Sequence, residues 1–291
     1  MNKGIFYLIL ASLCYAVMTI FIRLINTQIP PFTQMFLRYF ITFALSVIFV
    51  RLKKQSISPN SNQDLLWLIT ISLFGYTLST VFFTFSIFYT TIATALLLYS
   101  TNVLITPILA LMIIKEKISK NIWFAVILSL FGAILLFQPD FQSKNILGPS
   151  LAILASIVTS YYYVGRRKLK KYHASVIMLY STLIGFITMA AASFIIEPSF
   201  YLSYIPKSIS HVSPFIWFIL FIFAVDNFFA WYLVNKGFET IKAGEGNIIL
   251  LLEPIIGVII GITIYTEIPT VLTLLGMGLI LGSIIFATRK S

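Results

Sequence analysis

Few side chains in this chain can do chemistry, and most of those lie inside long apolar runs. Asp226 stands in Phe223-Ala224-Val225-Asp226-Asn227-Phe228-Phe229, with Asn227 beside it and Trp231 just over a helical turn later. A carboxylate there could contact a solute, hold a proton, or form a buried structural pair. Glu253 directly precedes Pro254. Proline removes a backbone donor and frees a carbonyl one turn earlier, so this pair could serve a solute site, helix bending or a bond between helices. Tyr99 and Asn102, three residues apart, share a helical face. Arg38 and Arg23 fall toward the ends of their runs. Both are expected to snorkel to the interface, with pairing of Arg38 to an acid or a solute carboxylate as the alternative.

Other chemistries find no residues. Cys14 is the one cysteine, which excludes an internal disulfide, and His173 and His211 fall in expected loops. No Cys or His cluster has metal-ligand spacing, and no Gly-rich phosphate loop ends in Lys-Ser or Lys-Thr. The expectation is therefore no catalytic residues, no metal, no cofactor and no ATP hydrolysis by this chain.

The elements that must position these residues are set by composition. Of 291 residues, 59% are apolar and 10% charged, against about 25% charged in a soluble domain. A spanning helix takes roughly 20 apolar residues, so the length accommodates ten spans and leaves no room for a soluble catalytic domain. Breaks at charges, prolines and polar clusters predict spans near 4–25, 33–50, 66–87, 91–114 and 121–137, then 148–166, 174–196, 214–235, 245–265 and 270–287. The turn at Phe88-Tyr89-Thr90-Thr91 is weak, but the stretch around it is too long for one helix.

The net charge of +11 would suit nucleic acid in a soluble protein, yet here the basic residues sit in short connections. With the N-terminus inside, sixteen lysines and arginines fall on the inner side, among them Lys53, Lys115, Arg166, Arg167, Lys236, Arg289 and Lys290. Only Lys144 and Lys207 fall outside. That bias predicts a multi-pass protein of the cell membrane with both termini cytoplasmic and no nucleic-acid partner.

The two halves resemble each other. Gly4 with Leu10-Ala11-Ser12 recurs as Gly148 with Leu154-Ala155-Ser156, and Arg23 falls on Arg167. Trp67 falls on Trp217, Phe88 on Phe238, Glu116 on Glu267 and Gly132 on Gly282. In that alignment Asn102 stands opposite Glu253. The expected domains are therefore two five-helix units, 1–140 and 145–291. Because five is odd, the second unit enters the membrane the opposite way up. Inverted repeats of this kind give many secondary transporters alternating access around a midplane site.

Those repeats, Leu250-Leu251-Leu252-Glu253-Pro254 leading to Glu267, and Lys115-Glu116-Lys117 before Gly132, resemble an EamA-type member of the drug/metabolite transporter superfamily over essentially the whole chain. In that family a proline commonly stands about thirteen residues before the loop glutamate. Pro254 fits, whereas Val103 occupies the first-half position and the nearby proline is Pro107. The resemblance implies an all-α membrane fold of ten helices with a central cavity between the halves. It also implies export or exchange of a small organic metabolite such as an amino acid, nucleoside or cofactor-like compound. On that basis Tyr15, Tyr76, Thr80, Ser160 and Tyr163 join the candidate cavity residues.

Two other classes remain to be weighed. An integral-membrane enzyme on lipid-linked substrates needs a cluster of acid, base or metal residues near one face, which is missing. A non-selective channel needs a continuous polar stripe on several helices, whereas the polar residues here are sparse. Gly257 and Gly261, and Gly278 and Gly282, are spaced four apart, as in helix contacts between repeats or between the protomers of a homodimer. Trp67, Trp123 and Trp217 are expected in the interfacial belts.

Overall fold

The computed structural model describes residues 2–26, 28–138, 146–202, 212–265 and 268–288. Lys144, Lys207, His211, Glu267, Arg289 and Lys290 lie outside these residues, as does the side chain of Arg23. The described chain is helical, without a strand. Its long helices are α1 (Lys3–Asn26), α2 (Pro31–Leu52), α3 (Asn62–Tyr89), α4 (Ile92–Ile113), α5 (Lys120–Phe137), α6 (Leu147–Lys168), α7 (Ala174–Ile196), α8 (Pro214–Thr240), α9 (Ala243–Leu250 with Leu252–Tyr265) and α10 (Val271–Thr288). Among the described residues nine helices, α2 to α10, are long and apolar enough to cross a membrane; in α1 the apolar stretch Lys3–Met18 is shorter.

Local chemistry sets the helix ends. Ser61, Thr91, Ser119 and Ser213 cap α3, α4, α5 and α8, each side-chain oxygen accepting from the backbone N–H three residues on. Pro31 and Pro214 occupy first-turn positions, where the missing N–H costs nothing. The weak turn after Phe88 is a true break, with Thr90 extended and Thr91 capping α4.

The helices bury small and polar residues and turn large apolar ones outward. Phe124, Phe131 and Ile134 on α5, Ile195 on α7, Phe218 on α8, and Leu274, Leu275 and Ile285 on α10 are exposed. Ser12, Thr42, Ser46, Ser72 and Thr182 are buried, each hydroxyl donating to a carbonyl of its own helix. In water that distribution would drive aggregation; with hydrocarbon as solvent it is the stable one.

Packing is pairwise. α1 lies against α8 and α9, and α6 correspondingly against α3 and α4, while α2 packs on α7 and α5 on α10. Glycines permit the closest contacts: a Cβ at Gly75 would stand 2.6 Å from Tyr162 Cβ, and one at Gly276 2.6 Å from the Gly132 carbonyl oxygen. Of the four-spaced glycines, Gly257 and Gly278 do not act this way within the chain. Gly257 and Gly278 have nothing within 4 Å of an added Cβ, and Gly282 meets only Leu128. Gly257 and Gly278 thus make no close contact between the repeats.

Three helices are irregular near their middles. In α3 the segment Ile71–Leu78 is π-helical. α4 breaks at Ser100 and Thr101, whose hydroxyls donate to the carbonyls of Leu96 and Leu98. α9 breaks at Leu251, where Pro254 has no N–H to offer the Leu250 carbonyl and the Ser12 hydroxyl lies 3.5 Å from that oxygen. Pro107 does not interrupt its helix, since α4 runs unbroken from Asn102 to Ile113. Competing hydroxyls, not proline, interrupt this helix.

Candidate functional site

The irregular helices converge on a cavity of about 60 Å³. α1 contributes Tyr15, Met18 and Ile22, α2 Arg38, and α3 Ser79, Thr80, Phe83 and Thr84. α4 contributes Tyr99, α8 Phe223, Asn227 and Trp231, and α9 Glu253. A smaller cavity of about 20 Å³ shares Tyr99 and Glu253 with it and adds Ser100, Asn102, Tyr163 and Asn247. The α9 break sets Glu253 in the first turn of a new helix, so its carboxylate stands on both cavities.

One wall is an aromatic box. The Trp231 ring meets Tyr76 and Tyr162 edge-on, each at 4.9 Å between centroids, and Tyr15 at 5.8 Å. Such edge contacts hold the indole in one orientation. Tyr76 donates to Asn227 Oδ1 at 3.3 Å, and Asn235 Nδ2 donates to both Tyr162 Oη and the Trp231 carbonyl at 2.8 Å. Trp231 and Asn227 therefore present fixed surfaces to the cavity.

A second network braces the α4 break. Asn247 Nδ2 donates to Asn102 Oδ1 at 3.1 Å and lies 2.8 Å from Thr106 Oγ1. The Ser160 hydroxyl donates to the Ser156 carbonyl and lies 3.3 Å from the Asn102 carbonyl oxygen, and Thr101 pairs with Ser156. Asn102 thus spends its carbonyl groups on α6 and α9 while its side chain edges the smaller cavity.

Of the expected site residues, Tyr15, Tyr99, Asn227, Trp231 and Glu253 come together on the main cavity, and Asn102 and Tyr163 on its neighbour. Tyr76 and Ser160 stand one layer behind, holding residues that line it. Asp226 is placed elsewhere. It lies beside the Cys14 thiol on an outward-facing apolar groove with Leu13, Phe221 and Phe229, and its Oδ2 has no hydrogen-bond partner. Consecutive residues of a helix point about 100° apart, so Asn227 facing the cavity turns Asp226 away.

Arg38 departs from expectation most. It does not snorkel: it is 1% exposed, and its guanidinium carbon sits 4.4 Å from the centre of the Phe223 ring. Nε and Nη2 have no hydrogen-bond partner, and Arg38 is in none of the four ion pairs found among the described residues. A signal for its direction was available. Gln34, Arg38, Thr42 and Ser46 recur every fourth residue, a polar stripe on one face of α2, and all four are buried.

The charged residues of the basic face close the other end of the bundle. Arg166, fully buried, lies 3.2 Å from Glu239, an ion-pair distance without hydrogen-bond alignment, and donates to the carbonyls of Asn235 and Leu169. Arg167 pairs with Glu116 at 3.2 Å, and Glu116 also accepts from the Ala243 N–H. Glu239 accepts from the Ala174 N–H and from Lys236. Burial, and next the Lys236 ammonium, hold the neighbouring His173 below its ordinary pKa. Trp67 stands at this face as expected, stacked on Tyr161 with the Lys168 ammonium 4.2 Å from its ring.

The EamA-like transporter family model matches residues 2–138 and again 146–289. A protein of Clostridium kluyveri described as "Uncharacterized transporter" is 30% identical over 112 residues, which are 36% of this chain and 36% of that relative's own length. A solved structure described only as "Crystal structure of protein" is 17% identical and superposes with a TM-score of 0.79, covering 99% of this chain and 97% of that one. That likeness establishes the fold alone.

Proposed function

Because the chain belongs to the EamA-like transporter family, we propose that it carries a small organic metabolite across the cell membrane by alternating access, as export or exchange. The membrane crossing is made ten times, by two inverted five-helix units, residues 1–140 and 145–291. Supporting this are the two family matches and the exchange-symmetric packing, in which α1 on α8 and α9 answers α6 on α3 and α4. The basic face is cytoplasmic and holds both termini.

The observation that carries the reading is the pair of breaks. Ser100-Thr101 in α4 and Leu251 in α9 fall at corresponding positions of the two halves, and both border cavities that share Glu253. Paired interruptions at mid-membrane mark solute sites in transporters built from inverted repeats. The lining, mostly apolar with a few convergent polar groups, suits an organic solute rather than a bare ion, and at about 60 Å³ the cavity must widen to admit one.

Counterflow in proteoliposomes loaded with a mixed pool of amino acids, nucleosides and cofactors tests it. Saturable exchange of one compound, reduced at least about tenfold by Glu253→Gln through loss of a group facing the solute, is expected. Flux that rises linearly with concentration would instead indicate a channel.

A further inference from the structure

Around Arg38 the cavity leaves several buried polar groups unpartnered. Arg38 Nε and Nη2, the Tyr15 hydroxyl and the Thr84 hydroxyl all lack a hydrogen-bond partner, and all four belong to residues lining the one cavity. One turn along α2, Gln34 is fully buried with both amide atoms unpartnered. Buried polar groups are ordinarily satisfied, and an unmatched guanidinium is the costliest exception. The Phe223 face against it offsets only part of that cost. The fold accordingly keeps a desolvated cation with Nε and Nη2 free, on a cavity that also carries unpartnered hydroxyls.

A planar guanidinium with two free N–H directions matches a carboxylate, which accepts both at once. Glu253 lines the same cavity and supplies one negative charge. A dianionic phosphate would face that carboxylate with only one cation to hold it. The pair of opposite charges fits a solute that itself carries one of each, and Phe83, Phe223, Tyr99 and Trp231 offer apolar and aromatic walls to its body.

We infer that Arg38 anchors the carboxylate of the transported solute, which is a small zwitterion with an apolar body and its ammonium toward Glu253. The inference rests on the carrier reading above for what happens after binding, but the binding itself can be tested without transport.

The purified full chain in detergent is titrated with each of the twenty proteinogenic amino acids, reading thermal stabilisation and calorimetric heat. Each binder is then compared with its decarboxylated amine and its deaminated acid, for example phenylalanine with phenethylamine and 3-phenylpropionate. At least one apolar amino acid binds, and loss of its carboxylate weakens binding about tenfold to hundredfold, the range of a charge-assisted bidentate contact. Arg38→Gln produces a similar loss for the amino acid and little for the amine, and Arg38→Lys recovers part of it. Because the ligand comparison uses the native chain, it stands even where a variant fails to fold. Equal binding of amine and amino acid, native affinity in folded Arg38→Gln, or no binding by any of the twenty overturns the anchor. Saturable counterflow of a neutral or cationic solute alongside such a result leaves the carrier standing. Carboxylate-dependent binding without counterflow does the reverse.

Discussion

At the scale of single residues, neighbours in one helix have opposite fates. Asn227 lines the cavity and bonds Tyr76, whereas Asp226 lies on an apolar groove with Cys14. Their types were legible in the sequence, but their directions were not. α8 is apolar on nearly every side, so its pattern did not say which face meets lipid and which meets the cavity. Arg38 was misread for a related reason, since its distance from the helix end suggested the interface while the stripe through Gln34 and Ser46 pointed inward. In the counterflow assay Asp226→Asn should therefore keep transport within about twofold of native while Glu253→Gln does not. Equal loss in both would return Asp226 to the site.

His173 makes a prediction of its own. Its Nδ1 accepts from the Ser175 N–H at the start of α7, and its Nε2 lies 3.1 Å from Lys236 Nζ. The fold holds the imidazole below its ordinary pKa, so the folded chain binds fewer protons than the unfolded one just under the ordinary value. The contribution of this corner is whole above about pH 6.5 and is lost as pH falls through the folded pKa. Thermal stability should fall more between pH 7.5 and 5 in the native chain than in His173→Asn, which keeps a capping side chain without a titration. Parallel curves would remove His173 as a contributor.

At the scale of elements, polar punctuation was legible and helix contacts were not. Caps and the break at Thr90 and Thr91 follow from side chains that compete for backbone groups, and the α9 interruption follows from the N–H that Pro254 lacks. The α4 break escaped because Ser100 and Thr101 act without proline. Glycine spacing does not by itself mark a contact within the chain, which depends on what faces the glycine. Gly75 faces the Tyr162 backbone, with an added Cβ 2.9 Å from its Cα, whereas Gly278 faces open space. Gly75→Ala must push α3 off α6 and should cost about 1–3 kcal/mol as overpacking. Gly278→Ala should be neutral or stabilising by up to about 1 kcal/mol through helix propensity. Equal effects on unfolding in detergent would mean that the α3–α6 contact yields more easily than its geometry implies.

At the scale of the whole molecule, the membrane class, the two related halves and the crowding of basic residues at one face were all legible, because each is a sum over many residues. What could not be summed was the closure of that face by ion pairs between distant helices. Glu116, Arg166, Arg167 and Glu239 tie the α4–α5 connection to α6, α8 and the first turns of α7 and α9. Glu116 and Arg167 are each mostly buried, with side chains 11% and 15% exposed, so their pairing is screened less than a surface bridge. If the protein closes access from its basic face through these contacts, removing one should populate a state open to that side. In a Cys14→Ser background, Thr80→Cys places a single thiol on the cavity wall. A membrane-impermeant maleimide applied from the side of the basic face should label it several-fold faster in Glu116→Gln and Arg167→Gln than in the parent, as expected for a shift of about 1 kcal/mol. An unchanged rate in folded variants would mean that these ion pairs fasten the connections of the basic face and leave the cavity's access to other elements.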